Sequence, residues 1–245
     1  MKQEVRDKLE DIIVTYERVV RVMEHNAASK VKEEARAYGG VIRSSKGQLQ
    51  EFITDEIIRT AWVLELGQSP SRLAINKNKI AIPIRTDYIS TIQDERVREH
   101  ILKNAHNYSY GLSVDKHVFI DGKMLMGIEC KAYTENAMIK RILVDFYLLL
   151  TQVPDLHCYL FQLESQLGGD YSSTIQSPHG SKPTHTLMSY FENVRLNIVT
   201  LLPGERKVDQ PINKEAFFKR LPIERLEAAV AVLSEGFLKS GVCTK

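Results

Sequence analysis

Asp121-Gly122, set between two runs of apolar and β-branched residues, constrains this chain more than any other feature. The first run is Leu112-Ser113-Val114-Asp115-Lys116-His117-Val118-Phe119-Ile120. The second is Met124-Leu125-Met126-Gly127-Ile128-Glu129-Cys130-Lys131-Ala132-Tyr133. Asp-Gly between such runs is a strong hairpin signal, because both residues tolerate the backbone of a tight turn. Loop length then decides which side chains share a face, since the strand period is two. A two-residue loop pairs Asp115 with Ile128 and puts Asp115 on the face opposite Glu129. A three-residue loop ending at a left-handed Gly122 pairs Asp115 with Gly127.

The three-residue register is the chemically coherent one and is the one expected. It gives a core face of Leu112, Val114, Val118, Met124, Ile128 and Cys130, with Lys116 as its misfit. The other face then carries Ser113, Asp115, Gly127, Glu129 and Lys131, and Gly127 leaves room for an ion beside the Asp115 carboxylate. Glu-x-Lys on an exposed strand is ordinarily a solvated ion pair. The upstream Asp, the Gly opposite it and the helix that follows favour a functional cluster.

An Asp, a hairpin turn and Glu-x-Lys on the second strand resemble the PD-(D/E)xK nucleases, best known from type II restriction endonucleases. The matching residues are Asp115, Glu129 and Lys131, with Val114 standing where the pattern has Pro. The order of elements over most of residues 46 to 202 is similar too. The resemblance implies Mg²⁺ held by Asp115, Glu129 and the backbone carbonyl of Cys130, because magnesium prefers oxygen ligands. Lys131 would orient or deprotonate the water and contact the scissile phosphate. A further acid is implied on the preceding helix. Lys46-Gly47-x-x-x-Glu51 fits, with Gly47 opening that helix and Glu51 in its second turn; taken bare, Glu51 is one of several acids on an amphipathic helix. Arg43 and Lys46 at the helix entrance are candidate phosphate contacts, since backbone N–H groups there favour anions.

Apolar periodicity predicts a helix over residues 3–25, with Val5, Leu9, Ile12, Ile13, Tyr16, Val19, Val20 and Met23 on one stripe. A charged helix ending at Gly39-Gly40 follows, then helices over 47–66 and 93–105. Residues 67–78 read as a polar loop, and 80–84 as an edge strand, because Pro83 excludes it from a sheet centre. Thr134 is the expected N-cap of a helix to Leu150, apolar almost all round and therefore buried. Residues 157–163 and 196–202 read as buried strands, and 223–239 as a closing helix. Strands joined through a helix imply a parallel crossover added to an antiparallel hairpin. The expected class is α/β: a mixed β-sheet with helices on both faces, a restriction-endonuclease-like core, and an N-terminal helical segment. A single domain spans 1–245. It divides into a helical segment at 1–40 (a candidate dimer element), a nuclease core at 41–205 and a C-terminal helical segment at 206–245.

A net charge of +2 excludes a purely electrostatic DNA binder but not an enzyme with a local basic cleft. Cys130, Cys158 and Cys243 are scattered and lack metal spacing, as expected of free thiols in a reducing cytoplasm. The N-terminus lacks a signal-peptide core, and no apolar run is of membrane-spanning length. His106-Asn107 and His117 suggest an HNH nuclease only faintly, for want of that motif's flanking metal residues. The stretch 166–187 is the longest expected loop. Tyr171, Ser172, Ser173, Gln176, His179 and Lys182 there are candidate contacts to DNA, against the reading of a mobile surface loop; the segment 76–85 is a second candidate. These readings converge on a cytoplasmic, Mg²⁺-dependent endonuclease cutting double-stranded DNA at a specific sequence. A homodimer is expected because palindromic sites match two-fold symmetry. The alternatives are a repair or junction-cleaving nuclease on the same fold, and a non-catalytic DNA-binding relative.

Overall fold

A computed structural model describes residues 2–30, 35–168 and 181–243. In chain order the elements are α1 (Gln3–Lys30), α2 (Ala35–Arg59), β1 (Leu73–Asn76), β2 (Ile80–Pro83), α3 (Thr86–Thr91), α4 (Glu95–Lys103), β3 (Ser109–Leu112), β4 (Lys116–Ile120), β5 (Lys123–Glu135), α5 (Asn136–Leu150), β6 (His157–Gln166), α6 (Lys182–Ser189), β7 (Leu196–Thr200) and α7 (Ile223–Lys239). Five strands form one sheet in the order β1-β4-β5-β6-β7, and β2 pairs with β3 in a separate ribbon. The pairs β1/β4 and β4/β5 are antiparallel, whereas β5/β6 and β6/β7 are parallel. The mixed sheet of the expected α/β class is therefore present, with α5 as the crossover between the parallel strands β5 and β6.

Each face of the sheet has its own core. Val118, Met126, Ile128, Cys130 and Phe161 pack under α1, α2 and α7. Val114, Met124, Cys158 and Leu160 pack under α5, whose Ile139, Ile142, Leu143, Phe146 and Leu149 are buried. The apolar stripe of α1 enters the first of these cores: Val5, Leu9, Ile12, Tyr16, Val20 and Met23 are all buried within the chain. That stripe is thus consumed by packing and is not a free dimer face. Nor is α5 buried all round, because Val144 and Tyr147 lie open on its outer side.

Several boundaries depart from expectation, each for a physical reason. No helix ends at Gly39-Gly40 and none opens at Gly47: α2 runs from Ala35 through both glycines and continues as a widened π-type turn, Thr60–Glu65. A glycine costs a helix interior only about 1 kcal/mol, and no proline interrupts this run. The widening, with Leu66 N–H donating to Ala61 O, accompanies burial of Trp62 against the Phe237 ring at 5.0 Å. Residues 73–76, read as loop, form β1, whose pairing with β4 makes β4 an interior strand. Thr134 caps no helix; it is a buried strand residue paired with Ser165, because β5 extends for as long as β6 runs beside it. Lys182–Ser189, also read as loop, is helical, with the Ser181 side chain accepting the Thr184 N–H at its start. Of residues 206–245, α7 covers only Ile223–Lys239, and the stretch before it is mostly irregular.

Among the described residues no helix is long and apolar enough to cross a membrane. The three cysteines are free thiols.

Candidate active site

The hairpin turn is the two-residue kind. Ile120 pairs with Lys123, and the intervening Asp121 and Gly122 both have positive φ, 50° and 80°. Arg72 holds the turn from β1's side, its Nε 3.1 and 3.0 Å from the two Asp121 carboxylate oxygens and its Nη2 2.6 Å from Oδ2. The expected three-residue loop is therefore incorrect, and a two-residue loop alone would place Asp115 opposite Ile128. A β-bulge changes that. Phe119 pairs with Met124 but Val118 pairs with Met126, leaving Leu125 as an extra residue. Leu125 and Met126 are consecutive, yet both enter the core under α1, α2 and α7. The extra residue restores the parity that brings Asp115 to Glu129's side, by a route with no local sequence signal.

The bulge also moves the partners. Lys116 pairs with Ile128 and His117 with Gly127, so Gly127 does not stand opposite Asp115. A Cβ at Gly127 would lie 2.9 Å from Phe146 Cε1 and 3.3 Å from Leu156 Cδ2. The missing side chain makes room for an α5 ring, not for an ion. The expected single core face is likewise divided: Leu112, Val114 and Met124 belong to the core under α5, and Val118, Ile128 and Cys130 to the other. Between them the backbone bends at Ser113–Asp115, separating β3 from β4.

The bend creates the site. Pairing between β4 and β5 stops at Lys116–Ile128, while β5 runs on to Glu135. Beyond that point the β4-side edge of β5 needs another acceptor, and the Asp115 Oδ2 accepts the Cys130 N–H at 2.8 Å. A strand residue turns its N–H and C=O to the same side, so the Cys130 carbonyl faces this edge as well. Lys131 Nζ lies 3.5 Å from Asp115 Oδ2 and donates to Glu129 Oε1. The three matching residues thus converge, with an ammonium between two carboxylates.

Burial pushes the Glu129 carboxyl above its ordinary range; Lys131 opposes the shift, Asp115 adds to it, and burial prevails. For Lys131 burial acts to lower the pKa, but Glu129 and Asp115 outweigh it and the net direction is up. Lys131 therefore keeps its proton in this arrangement. Asp145 on α5 also acts on Glu129, raising its pKa, and has its own carboxyl raised by burial. Its sequence signal is that of a single acid inside the apolar run from Ile142 to Leu150.

On the α2 side, Cys130 Sγ donates to Thr54 Oγ1 at 3.4 Å. Lys116 Nζ donates to Asp55 Oδ2 at 2.9 Å and lies 3.6 Å from Glu51 Oε2. Glu51 also meets Lys77, at 3.5 Å. Glu51 is thus drawn to the residue beside Asp115, and its ion pairs are with these lysines and not with Lys131. The fork of Asp55 and Glu51 on Lys116 joins α2 to β4 across the chain, and its one sequence signal is Lys116 as a misfit on an apolar face.

Arg43 and Lys46 sit within α2, not at a helix entrance, so the backbone N–H argument for anion binding does not apply. They nonetheless line a cleft of ≈ 210 Å³ together with Ala132, Tyr133, Arg206 and Lys214. Arg206 stacks 3.8 Å from the centroid of the Tyr133 ring and donates to Gln166 Oε1 at 2.5 Å. Tyr171, Ser172, Ser173, Gln176 and His179 lie outside the described residues. Lys182 is exposed at the start of α6.

His117 is fully buried. Its Nε2 accepts the Val114 N–H at 3.2 Å, while Nδ1 has no partner among the described residues. Burial lowers its pKa, favouring the neutral ring. An Nε2 that accepts puts the proton on Nδ1, and burying an unpartnered donor costs about 1–3 kcal/mol.

No protein-family model matches this chain, and no solved structure does. The chain is 59% identical over 235 residues to the type II restriction enzyme DdeI of Desulfomicrobium norvegicum (strain DSM 1741 / NCIMB 8310), an alignment covering 96% of this chain and 98% of that relative.

Proposed function

The chain belongs to the type II restriction enzymes, site-specific deoxyribonucleases, and from that premise we propose that Asp115, Glu129 and Lys131 form its hydrolytic centre. In this reading the core is of the PD-(D/E)xK kind, the cofactor is Mg²⁺ and the substrate is double-stranded DNA. One observation carries the assignment. Asp115, from a bend, and Glu129 and Lys131, from a neighbouring strand, meet at the open edge of β5, within hydrogen-bond or ion-pair reach of one another.

The donor set suits magnesium. Among the described residues no three His, Cys, Asp or Glu side chains gather as a metal cage. Mg²⁺, however, is ordinarily held by one or two carboxylates with water and substrate phosphate. Asp115 Oδ2 and Glu129 Oε1 already converge on a cation, Lys131 Nζ. Asp115, Glu129 and the Cys130 carbonyl would hold the ion. When bound, it supplies Lewis acidity, lowering the pKa of water and offsetting charge on the phosphate.

The protein groups have separable duties. The Cys130 N–H fixes the Asp115 carboxylate. Glu129, largely withdrawn from water, favours a cationic neighbour because burial disfavours its charge. Lys131 meets a phosphate oxygen as an ammonium. It turns into a proton acceptor only if the charge of its flanking carboxylates is offset, since they hold its proton on. Two such centres related by two-fold symmetry would cut both strands of a palindromic site, which favours a homodimer. Kinship with a restriction enzyme favours this reading over repair or junction cleavage.

Plasmid digestion with and without Mg²⁺ tests the proposal. Discrete fragments appear with Mg²⁺ and vanish with EDTA. Asp115→Asn keeps an oxygen for the Cys130 N–H but lacks the charge, and its cleavage rate falls by about three orders of magnitude, the scale of several kcal/mol in the barrier. An Asp115→Asn enzyme that cuts at the wild-type rate would refute the assignment.

A further inference from the structure

We propose that His117 is a positioning residue for DNA cleavage: its buried imidazole holds the bend that aims Asp115 at the open edge of β5. The inference rests on the assignment of Asp115 to the hydrolytic centre and goes beyond it to a residue that never touches the substrate.

The geometry is local and complete. The Ser113–Asp115 bend has no strand partner, since β3 ends at Leu112 and β4 begins at Lys116. Val114 in the middle of the bend is buried, so its backbone must satisfy its polar groups away from water. The Val114 N–H, one residue before Asp115, finds its acceptor in His117 Nε2 at 3.2 Å. His117 itself lies inside the sheet: it is a β4 residue, pairs with Asn76 on one side and Gly127 on the other, and has no exposed surface. The ring thus reaches back three residues and ties the bend to the rigid strand that follows. Val114 is held at the same time by packing, buried among the residues of the core under α5. The far side of the bend is fixed by the Asp115–Cys130 hydrogen bond. A bend held at both ends leaves the carboxylate one direction.

The choice of residue supports a positional role. Apolar side chains fill the core under α5, and one here would avoid burying an unpartnered Nδ1–H. Histidine brings the one thing they lack, an acceptor at the Nε2 position. Buried polar groups left partly unsatisfied call for a reason beyond packing. Displacing a catalytic group by about 1 Å costs on the order of a hundredfold in rate.

The test compares His117→Phe, which keeps the ring's bulk without the acceptor, with His117→Gln, whose amide oxygen reaches approximately the Nε2 position. Full-length proteins are assayed for kcat and KM on a plasmid, for duplex binding with Ca²⁺ in place of Mg²⁺, and for Tm, alongside Asp115→Asn. His117→Phe is expected to lose about a hundredfold in kcat, to need more Mg²⁺ for half-maximal rate, and to keep its KM and duplex affinity. His117→Gln recovers most of the kcat. The proposal is overturned if His117→Phe cuts at the wild-type rate, if it fails to fold, or if His117→Gln is as slow as His117→Phe. Wild-type cleavage by Asp115→Asn is the separate result that removes the active-site assignment and this inference with it.

Discussion

Asp115 and Lys116 are adjacent in the chain and anchored in different directions. The Asp115 carboxylate takes the Cys130 N–H of β5 at 2.8 Å, and the Lys116 ammonium reaches Asp55 of α2 at 2.9 Å. The two anchors fix the start of β4 between the sheet edge and the helix above it. Of the pair, only Asp115 meets Lys131; Lys116 spends its charge on α2.

Replacing Lys116 with Met keeps the buried stem but removes the tether. Burial alone would lower the Lys116 pKa, yet the Asp55 hydrogen bond and the charges around it raise it overall, so the pair attracts more than burial costs. Asp55 and Glu51 are about one-third exposed, at 33% and 31%, so water takes over part of the lost interaction. Lys116→Met is expected to destabilise by about 1–2 kcal/mol, below the range for breaking a fully buried pair. Urea denaturation checks it, with an unchanged m-value expected.

Gly127 is where β5 lets α5 approach. Gly127→Ala places a methyl 2.9 Å from Phe146 Cε1 and 3.4 Å from Val114 Cγ2, so either the ring or the bend must give. Overpacking of this kind costs about 1–3 kcal/mol. Because Val114 precedes Asp115, cleavage falls along with stability, and Phe146→Leu in the same chain is expected to restore part of both. Denaturation and plasmid digestion of the single and double variants decide it.

The hairpin turn carries a pH signature. The Arg72 hydrogen bonds hold the Asp121 carboxyl below its ordinary range. A depressed carboxyl adds stability that is present above its unfolded pKa and is lost as pH falls through the lower, folded value. Asp121→Asn tolerates the positive φ of this position but loses the charge. Its Tm should therefore lie below wild type near neutrality and converge on it as the pH drops below about 4, the unfolded range of Asp. Parallel Tm curves across that window would remove the Arg72–Asp121 pair from the account.

What was legible in the sequence follows from the range of the forces involved. Alternation and the Asp-Gly turn are local, so the hairpin and its Asp, Glu and Lys could be read directly. The bulge at Leu125 could not, because Leu125 is as apolar as its neighbours and only the two cores decide where it points. Asp115 and Glu129 come together because a turn one residue shorter than expected is compensated by a bulge one residue longer. Val114 continues the apolar alternation and conceals the bend. Gly40 and Gly47 read as helix boundaries, yet the packing of α2 against α1 and the sheet outweighs their small propensity cost. Arg206 carries no local signal, since its place over Tyr133 joins segments far apart in the chain.

The cleft beside β5 gives the last prediction. Arg43, which is exposed, lines it together with Tyr133, two residues past Lys131, and Arg206 stacks on the Tyr133 ring. Cations in a cleft whose lining includes Ala132, the residue after Lys131, are placed to meet phosphates if Lys131 belongs to the hydrolytic centre as proposed, and phosphate contacts position DNA without reading it. Arg43→Ala should therefore weaken binding to cognate and non-cognate duplexes by similar factors. If one phosphate contact is lost, the slope of log affinity against log salt should shrink by about 0.9. Arg206→Ala should do the same, with an added loss because its guanidinium is already held in place by Tyr133 and Gln166. Fluorescence anisotropy with Ca²⁺ replacing Mg²⁺, between about 50 and 200 mM salt, measures both quantities. A change in discrimination at one base pair with an unaltered slope would make these arginines base readers; no change in either would put the DNA path elsewhere on the protein.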